Sequence, residues 1–288
     1  MSQNPDRVIV DAHQHLWELS RTPQPWIEPV MMPELARDFG PVQHRELLLS
    51  AGIESAILVQ TVNTEEETAW LLDVAAQVGA AGVVGWVDLV GTDVGRQIAD
   101  LRARQGGAKL VGVRHLTHLE PDTGWLERDD VRRGIAAVGR AGLPVELVVN
   151  ARQLPFIPDL VQALPDVQFV LDHLGYPPVD AAALDTWEHL LVSIAAAENT
   201  AAKFSGLRLS ALQGSAHEIH GRRIRDVALL SFGPARLMWG SDWPLVLRDG
   251  SYAQWLMIAS ELMCDLSPRE AERFWAGTAV EIYQVGDP

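Results

Sequence analysis

The sequence predicts an α/β protein built as a (β/α)8 TIM barrel, in a regular or a distorted form, and three observations carry this prediction. Short apolar runs alternate strictly with longer amphipathic runs, which is typical of a parallel sheet covered by helices. The alternation repeats eight times along 288 residues, a normal length for one such barrel. The first apolar run leads into HQHLW, which lacks the glycine-rich phosphate loop of an open, doubly wound sheet. We therefore expect residues 1–288 to form a single domain.

Eight runs have the length and composition of buried strands. They lie at 8–13, 55–60, 83–88, 110–115, 144–149, 167–172, 201–206 and 236–242. Helical patterns follow them, among others at 65–79, 93–106, 129–142, 185–199, 251–263 and 267–284. The proline-rich segment 21–33 predicts a long first βα loop, and long loops at this end of a barrel usually shape an active site.

Composition argues against several classes of function. The net charge of −15 repels phosphate backbones and anionic membranes, so we expect neither a nucleic-acid partner nor a membrane partner. The sequence has no apolar run near the ~18 residues that a transmembrane helix needs, and its first residues do not resemble a signal peptide. The single cysteine, Cys264, cannot form an internal disulfide. We expect a cytoplasmic protein whose partner is a small molecule, and the sequence makes no prediction of oligomeric state.

Polar side chains suited to acid–base or metal chemistry stand at the ends of three predicted strands. His13 and His15 follow the first strand, His173 ends the sixth and Asp242 ends the eighth. Residues two apart on a strand share a face, so Asp11 is expected beside the two histidines. Each group has a structural alternative, a hydrogen-bonded histidine pair or a helix N-cap. Because the carboxyl ends of barrel strands meet at one mouth, the set together favours a catalytic or metal site.

Three motifs, VDAHQH, FVLDHLG and GSDWP, occur in this order at the predicted strand ends. They resemble the amidohydrolase superfamily. The stretch PVELVVNARQLPFIPDLVQALPDVQFVLDHLGYPP is similar to the branch of sugar lactonases, such as L-fuconolactonase and L-rhamnonolactonase, which is related to 2-pyrone-4,6-dicarboxylate lactonase. The resemblance covers nearly the whole chain. The ordered motifs are fairly specific for the superfamily, whereas they discriminate poorly between substrates.

The resemblance implies a catalytic cluster made of His13, His15, His173 and Asp242. Metal-rich members also use a strand-5 histidine, where this chain has Glu146, and a bridging lysine or glutamate, which is missing from strand 4, so two metals are not expected. One divalent metal ion, with zinc as the first choice, would be bound by His13, His15, Glu146, His173 and Asp242. Some lactonases of this branch work without any metal, and that alternative stays open.

Lactone hydrolysis needs an activated water and a polarised carbonyl. Asp242 is the expected general base, and zinc or the three histidines would stabilise the oxyanion. Five further residues are candidate substrate contacts, each with a structural role as its alternative: Arg114, His118, Gln60, Trp26 and Trp243. Lys203 is not assigned to the site, because a strand lysine could equally point outward. The acidic run 65–67 is expected to be a solvated first helical turn.

The expected function is hydrolysis of a sugar-acid lactone of the L-fucono- or L-rhamnono-lactone type. A lactonase for 2-pyrone-4,6-dicarboxylate ranks second, because a dicarboxylated substrate would prefer more positive charge than the one strand-end arginine, Arg114. A non-oxidative decarboxylase of the same superfamily is the third alternative. A binding protein on an inactive barrel is the fourth, and against it none of the four cluster positions carries an inert residue.

Overall fold

The computed structural model describes residues 8–212 and 215–286, without the side chains of residues 181 and 215–219. The eight strands lie in one parallel sheet, in chain order. They are β1 (Val10–Gln14), β2 (Ser55–Val59), β3 (Gly82–Gly85), β4 (Leu110–His115), β5 (Val145–Leu147), β6 (Phe169–Leu171), β7 (Thr200–Phe204) and β8 (Leu237–Trp239). The predicted (β/α)8 TIM barrel is confirmed.

A helix follows every strand, and β8 is followed by three. The helices are α1 (Pro41–Ala51), α2 (Glu65–Val78), α3 (Val94–Arg102), α4 (Asp129–Arg140), α5 (Ile157–Ala163), α6 (Ala181–Ala195), α7 (Ser215–Phe232), α8 (Tyr252–Leu262), α9 (Pro268–Glu272) and α10 (Thr278–Tyr283). The last predicted helix, 267–284, consists of two short α-helices, α9 and α10, with a π-helical turn at Arg273–Gly277 between them. Among the described residues, no helix has the length and apolar character needed to cross a membrane.

The barrel closes just beyond the end of β8, where the chain runs beside β1. The Asp242 backbone N–H donates to the His13 carbonyl at 2.9 Å, and the His15 N–H donates to the Trp243 carbonyl at 2.7 Å. These two bonds hold the first and last strands together at the carboxyl end of the barrel. They also place Asp242 next to both histidines of the H-x-H motif.

A β-bulge in β1 changes which residues share a face. The register of β1 against β2 shifts between Asp11 and Gln14. The Asp11 carboxylate accepts hydrogen bonds from the Ser241 N–H at 2.8 Å, the Tyr252 hydroxyl at 3.0 Å and the Gln14 amide at 2.6 Å. Ser241 follows β8, Gln14 lies in β1, and Tyr252 lies on the outer helix α8. The expectation that the Asp11 side chain shares a face with those of His13 and His15 is therefore wrong, because the bulge interrupts the two-residue alternation.

The lower half of the barrel is filled by aliphatic side chains. Val10, Ile57, Val84, Val170 and Ala201 belong to one cluster from different strands. The π-helical turn and α10 pack against this cluster, so the end of the chain closes the floor of the barrel. Packing of this kind is what the interior of an eight-stranded barrel requires, since side chains must fill it.

The acidic run at the start of α2 is only partly solvated. Glu65 and Glu66 are exposed, as expected, whereas Glu67 is buried. The Glu67 carboxylate accepts from the Thr61 N–H at 2.8 Å and from the Gln24 amide at 3.2 Å. Gln24 belongs to the long first loop, so Glu67 ties that loop to the end of β2. The expectation of a fully solvated turn is wrong for this residue.

His44 on α1 is fully buried behind β1. Its Nδ1 donates to the Gln14 side-chain oxygen at 2.9 Å, because the Gln14 amide N–H group faces the Asp11 carboxylate. Burial lowers the pKa of His44 from 6.5 to about 4, and Arg45 adds to the shift. The folded protein therefore keeps a neutral imidazole at pH values where an unfolded chain would protonate it.

This pKa predicts that stability falls as the pH decreases from about 6.5 to about 4. In that window the unfolded chain binds a proton that folded His44 rejects, which costs about 3 kcal/mol once the pH reaches 4. We expect His44→Asn to flatten the dependence of the free energy of unfolding on pH, measured by urea denaturation. The exposed His189→Asn is the control and should leave the slope unchanged. Parallel curves for the wild type and His44→Asn would contradict the assignment.

Candidate active site

The four predicted catalytic residues converge at the carboxyl end of the barrel. His13 lies in β1 and His15 immediately after it, His173 follows β6, and Asp242 follows β8. All four side chains are buried, and Asp242 retains the most exposure, at 7%. Asp242 also has a positive φ of 58°, a backbone conformation that turns its carboxylate at the strand end.

Three of these side chains form a compact triangle of ligand-type atoms. His13 Nε2 lies 3.1 Å from His15 Nε2, and His15 Nε2 lies 3.2 Å from Asp242 Oδ1. The third side, between His13 Nε2 and Asp242 Oδ1, is 3.7 Å. Together the three residues could hold one metal ion.

The orientation of His15 is set by a backbone carbonyl of the neighbouring strand. His15 Nδ1 lies 2.7 Å from the Val59 carbonyl oxygen. A carbonyl can only accept, so Nδ1 carries a hydrogen and Nε2 is the ring atom directed at the triangle. This arrangement of a backbone acceptor behind a histidine is the usual support of a metal-binding or hydrogen-bond-accepting imidazole.

His173 stands beside the triangle rather than in it. Its ring centroid is 4.6 Å from that of His13, and its Nδ1 is 2.8 Å from the Ser205 hydroxyl. Gly206 lies against the ring, where an added Cβ would be 2.4 Å from Nδ1, so only glycine fits. Burial lowers the pKa of His173, which keeps the ring neutral. His173 belongs to a second potential metal-binding group, with His13 and Asp172.

A buried lysine, which the sequence did not assign to the site, lies beneath His13. Lys203 on β7 is fully buried, and its Nζ is 2.5 Å from Glu146 Oε1, 3.0 Å from His13 Nδ1 and 3.3 Å from Asp172 Oδ1. The idea that Lys203 points outward is wrong. A lysine is almost never fully buried unless it is paired with an acid, so its place within an apolar strand could have indicated that Lys203 forms a buried ion pair.

Glu146 contacts Lys203 instead of the triangle. Its Oε1 also accepts from the hydroxyl of Tyr283 on α10. Burial and the Asp172 carboxylate raise the pKa of Glu146 to about 7. The structure brings Glu146 into neither of the two groups that could hold a metal among the described residues. The geometry therefore does not support its expected role as a metal ligand.

Arg114 and Gln60 lie deep in the site and bind each other. The Arg114 guanidinium donates from Nε to the Gln60 side-chain oxygen at 3.3 Å and from Nη2 to the Gln60 backbone carbonyl. Its Nη1 donates to Asp172 Oδ2 at 2.8 Å and lies 3.3 Å from His13 Nε2. Gln60 is fully buried and Arg114 is 3% exposed. This placement favours the structural ion pair over the expected substrate contacts.

Asp172, a residue that the sequence reasoning missed, joins these cations. It accepts from Arg114 and lies within ion-pair distance of Lys203 and His13. Burial alone would raise its pKa, but Lys203, His13 and Arg114 hold the pKa of Asp172 well below its ordinary value. Its position next to His173, directly after β6, could have indicated from the sequence that Asp172 belongs to the site. We call Arg114, Glu146, Asp172 and Lys203 the central ion cluster.

The two predicted tryptophans belong to a row of aromatic rings at the mouth. Trp243 is 5% exposed and packs edge-on against Phe39, which packs against Trp17. Trp26 is half-buried, packs against Trp17 and donates from Nε1 to Gln24 at 2.8 Å. The row fastens the long first loop to the barrel. A substrate contact by either tryptophan stays a prediction.

His118 and Tyr176 lie near the central ion cluster. His118 is half-buried, its Nδ1 lacks a hydrogen-bond partner among the described residues, and burial together with Arg114 lowers its pKa to about 4. The Tyr176 ring is 4.9 Å from that of His173.

A family model described as Amidohydrolase matches residues 10–285. The chain belongs to the amidohydrolase family. It is 33% identical to an L-fucono-1,5-lactonase of Burkholderia ambifaria, with 97% of this chain and 96% of the relative covered. It is also 33% identical to an L-fucono-1,5-lactonase of Burkholderia multivorans, with 97% of each covered. A crystal structure of a Burkholderia multivorans amidohydrolase with bound zinc has a TM-score of 0.89 at 32% identity, over 97% of this chain and 100% of that one. The resemblance predicted from the motifs is confirmed.

The central ion cluster of this amidohydrolase predicts a severe cost for removing its buried ammonium. Lys203→Met leaves Glu146 and Asp172 without a cation that both contact, and breaking such a buried pair typically costs about 3–5 kcal/mol. We expect this loss in the free energy of unfolding, measured with urea. Adding Glu146→Gln to Lys203→Met should restore part of it.

Lys109→Met is the matched control, since Lys109 is the other lysine of the chain and is partly exposed. It should stay within about 0.5 kcal/mol of the wild type. A Lys203→Met protein as stable as this control would show that the pairing contributes nothing.

Proposed function

We propose that this amidohydrolase hydrolyses a sugar-acid lactone of the L-fucono- or L-rhamnono-lactone type. The observation that carries the proposal is the carboxylate of Asp242 held against His13 and His15 at the barrel mouth. The two L-fucono-1,5-lactonases that share a third of the sequence over nearly the full chain support the substrate class. The single cysteine suits the reducing cytoplasm, where we place the reaction.

The triangle of His13, His15 and Asp242 fits one zinc ion. Bond lengths of about 2.0–2.2 Å in a tetrahedral site separate ligand atoms by about 3.3–3.5 Å. The three observed separations run from 3.1 to 3.7 Å. These residues would hold the ion, which would polarise the lactone carbonyl. Lys203 and Tyr283 both donate to Glu146 Oε1, and among the described residues Glu146 belongs to neither group that could hold a metal, so nothing there supports a second ion.

The residues of the chain supply the remaining chemistry. Asp242 accepts a proton from water as the water oxygen attacks the carbonyl carbon. In the tautomer in which the Ser205 hydroxyl donates to Nδ1, the neutral His173 carries its hydrogen on Nε2, from which it would stabilise the oxyanion. The ester bond to the ring oxygen then breaks, and the proton from Asp242 passes to that oxygen. The product is the open-chain sugar acid.

The charges of the site favour a neutral substrate. Among the described residues of the central ion cluster, Arg114 and Lys203 are the cations, and both are paired with buried carboxylates. A pyrone with two carboxylates, or an aromatic acid for decarboxylation, would need a free cation to replace its hydration. Both alternatives therefore rank below a neutral sugar lactone.

Asp242→Asn tests the general base. The amide keeps the shape of the side chain but cannot take the proton, so we expect kcat to fall by about 10²–10⁴-fold with the fold retained. The measurement is a pH-indicator assay over a panel of aldonolactones, with circular dichroism to verify folding. Asp166→Asn, at an exposed position, is the control and should keep full activity. Activity of Asp242→Asn within tenfold of the wild type would remove Asp242 from this role.

Metal removal tests the triangle separately. We expect about one zinc per chain in the purified protein, loss of lactonase activity after dialysis against a chelator, and recovery on adding zinc. His15→Ala should reduce the bound zinc, measured by elemental analysis, because it removes one corner of the triangle. A fully active, metal-free enzyme would show that the residues of the chain suffice for catalysis.

A further inference from the structure

The turn after β6 has an unusual backbone. Four consecutive residues have positive φ: His173 at 54°, Leu174 at 53°, Gly175 at 69° and Tyr176 at 57°. Only glycine adopts this region without strain, and a bulky residue such as Tyr176 is an outlier there. Strain of this kind persists only where the surrounding structure enforces it, and it clusters at functional sites.

The surrounding structure does enforce the turn. The Tyr176 N–H donates to the His173 carbonyl at 2.9 Å, and the Trp187 indole donates to the Leu174 carbonyl at 2.8 Å. Leu174 is fully buried, and Gly175 presses against Leu154, where a Cβ would be 2.6 Å from the nearest carbon. The position of the Tyr176 ring is therefore fixed by the backbone on which it stands.

Tyr176 differs from the two other tyrosines of the chain. Tyr252 and Tyr283 are buried and donate to carboxylates, those of Asp11 and Glu146. Tyr176 is 39% exposed, and its hydroxyl finds no hydrogen-bond partner in the described part of the chain. Its ring lies beside the catalytic His173, at the open end of the barrel. A strained backbone thus presents an exposed ring and an unused donor to the site.

We infer that Tyr176 contacts the substrate and selects for a hydroxylated ring. The inference rests on the proposed lactonase function. The aromatic ring covers the apolar face of the sugar, and the phenol hydroxyl donates to a sugar hydroxyl away from the reacting carbonyl. Tyr176 therefore adds affinity for the sugar, whereas the attack on the carbonyl depends on Asp242 and His173.

Tyr176→Phe separates the two roles. For a polyhydroxylated aldono-1,5-lactone we expect KM to rise about 3–10-fold, the value of one neutral hydrogen bond, with kcat little changed. For δ-valerolactone, which has no ring hydroxyls, we expect kcat/KM to equal that of the wild type. Val192→Ala, at an exposed position on α6, is the control and should leave kcat and KM for both lactones unchanged. An unchanged KM for the hydroxylated lactone, or an equal loss on both lactones, would overturn the inference.

Tyr176→Gly tests the strain. Glycine accepts the positive φ freely, so we expect an unfolding temperature no lower than that of the wild type, together with weaker substrate binding. A clear loss of thermal stability in Tyr176→Gly would assign the residue a structural role instead.

A binding measurement keeps this inference distinct from the proposed function. The lactam analogue of the hydroxylated lactone is neutral, and calorimetry reports its affinity without catalysis. We expect the lactam to bind the wild type about 3–10-fold more tightly than Tyr176→Phe. Equal affinities, or no binding to either protein, would overturn the role of Tyr176. If the lactam binds with this difference in affinity but the wild type hydrolyses no lactone, only the proposed reaction is overturned.

Discussion

The central ion cluster is the interaction on which the rest of the site depends. Arg114 and Lys203 meet Glu146 and Asp172 inside the barrel, where none of the four side chains is more than 3% exposed. An unpaired charge there would lose its hydration without compensation, so each group is confined to the position that its partners define. Lys203 and Arg114 also contact the two ring nitrogens of His13. The cluster therefore fixes the position of His13, which is one corner of the triangle.

The cluster also joins the two ends of the barrel. Above it lie the histidines and Asp242, and below it lies the apolar floor. The hydroxyl of Tyr283 on α10 reaches up to Glu146, so the last helix of the chain contacts the same carboxylate that binds Lys203. The floor of the barrel therefore does more than fill space, because its tyrosine adds a second donor to the Glu146 oxygen that already accepts from Lys203.

Much of the fold could be predicted, since each of the eight apolar runs overlaps one strand, although several strands end two or three residues before the run does. The order of the strands brings His13, His173 and Asp242 to one mouth. Two features could not be predicted. The bulge in β1 has no sequence signature here, so Asp11 was placed on the wrong face. A two-residue period shows which residues share a face, but it does not show which face points inward. Lys203 was misjudged for that reason.

The partners of Arg114 decide what the site can bind. Asp172 lies 58 residues further along the chain, so the sequence alone left open whether the guanidinium was free for substrate. Paired as it is, Arg114 gives no attraction to a carboxylate. In the proposed reaction a neutral lactone becomes a carboxylate within reach of Asp242, on a protein of net charge −15. The charge that hydrolysis creates finds no free cation at the central ion cluster and lies close to the Asp242 carboxylate, and both features favour release of the acid.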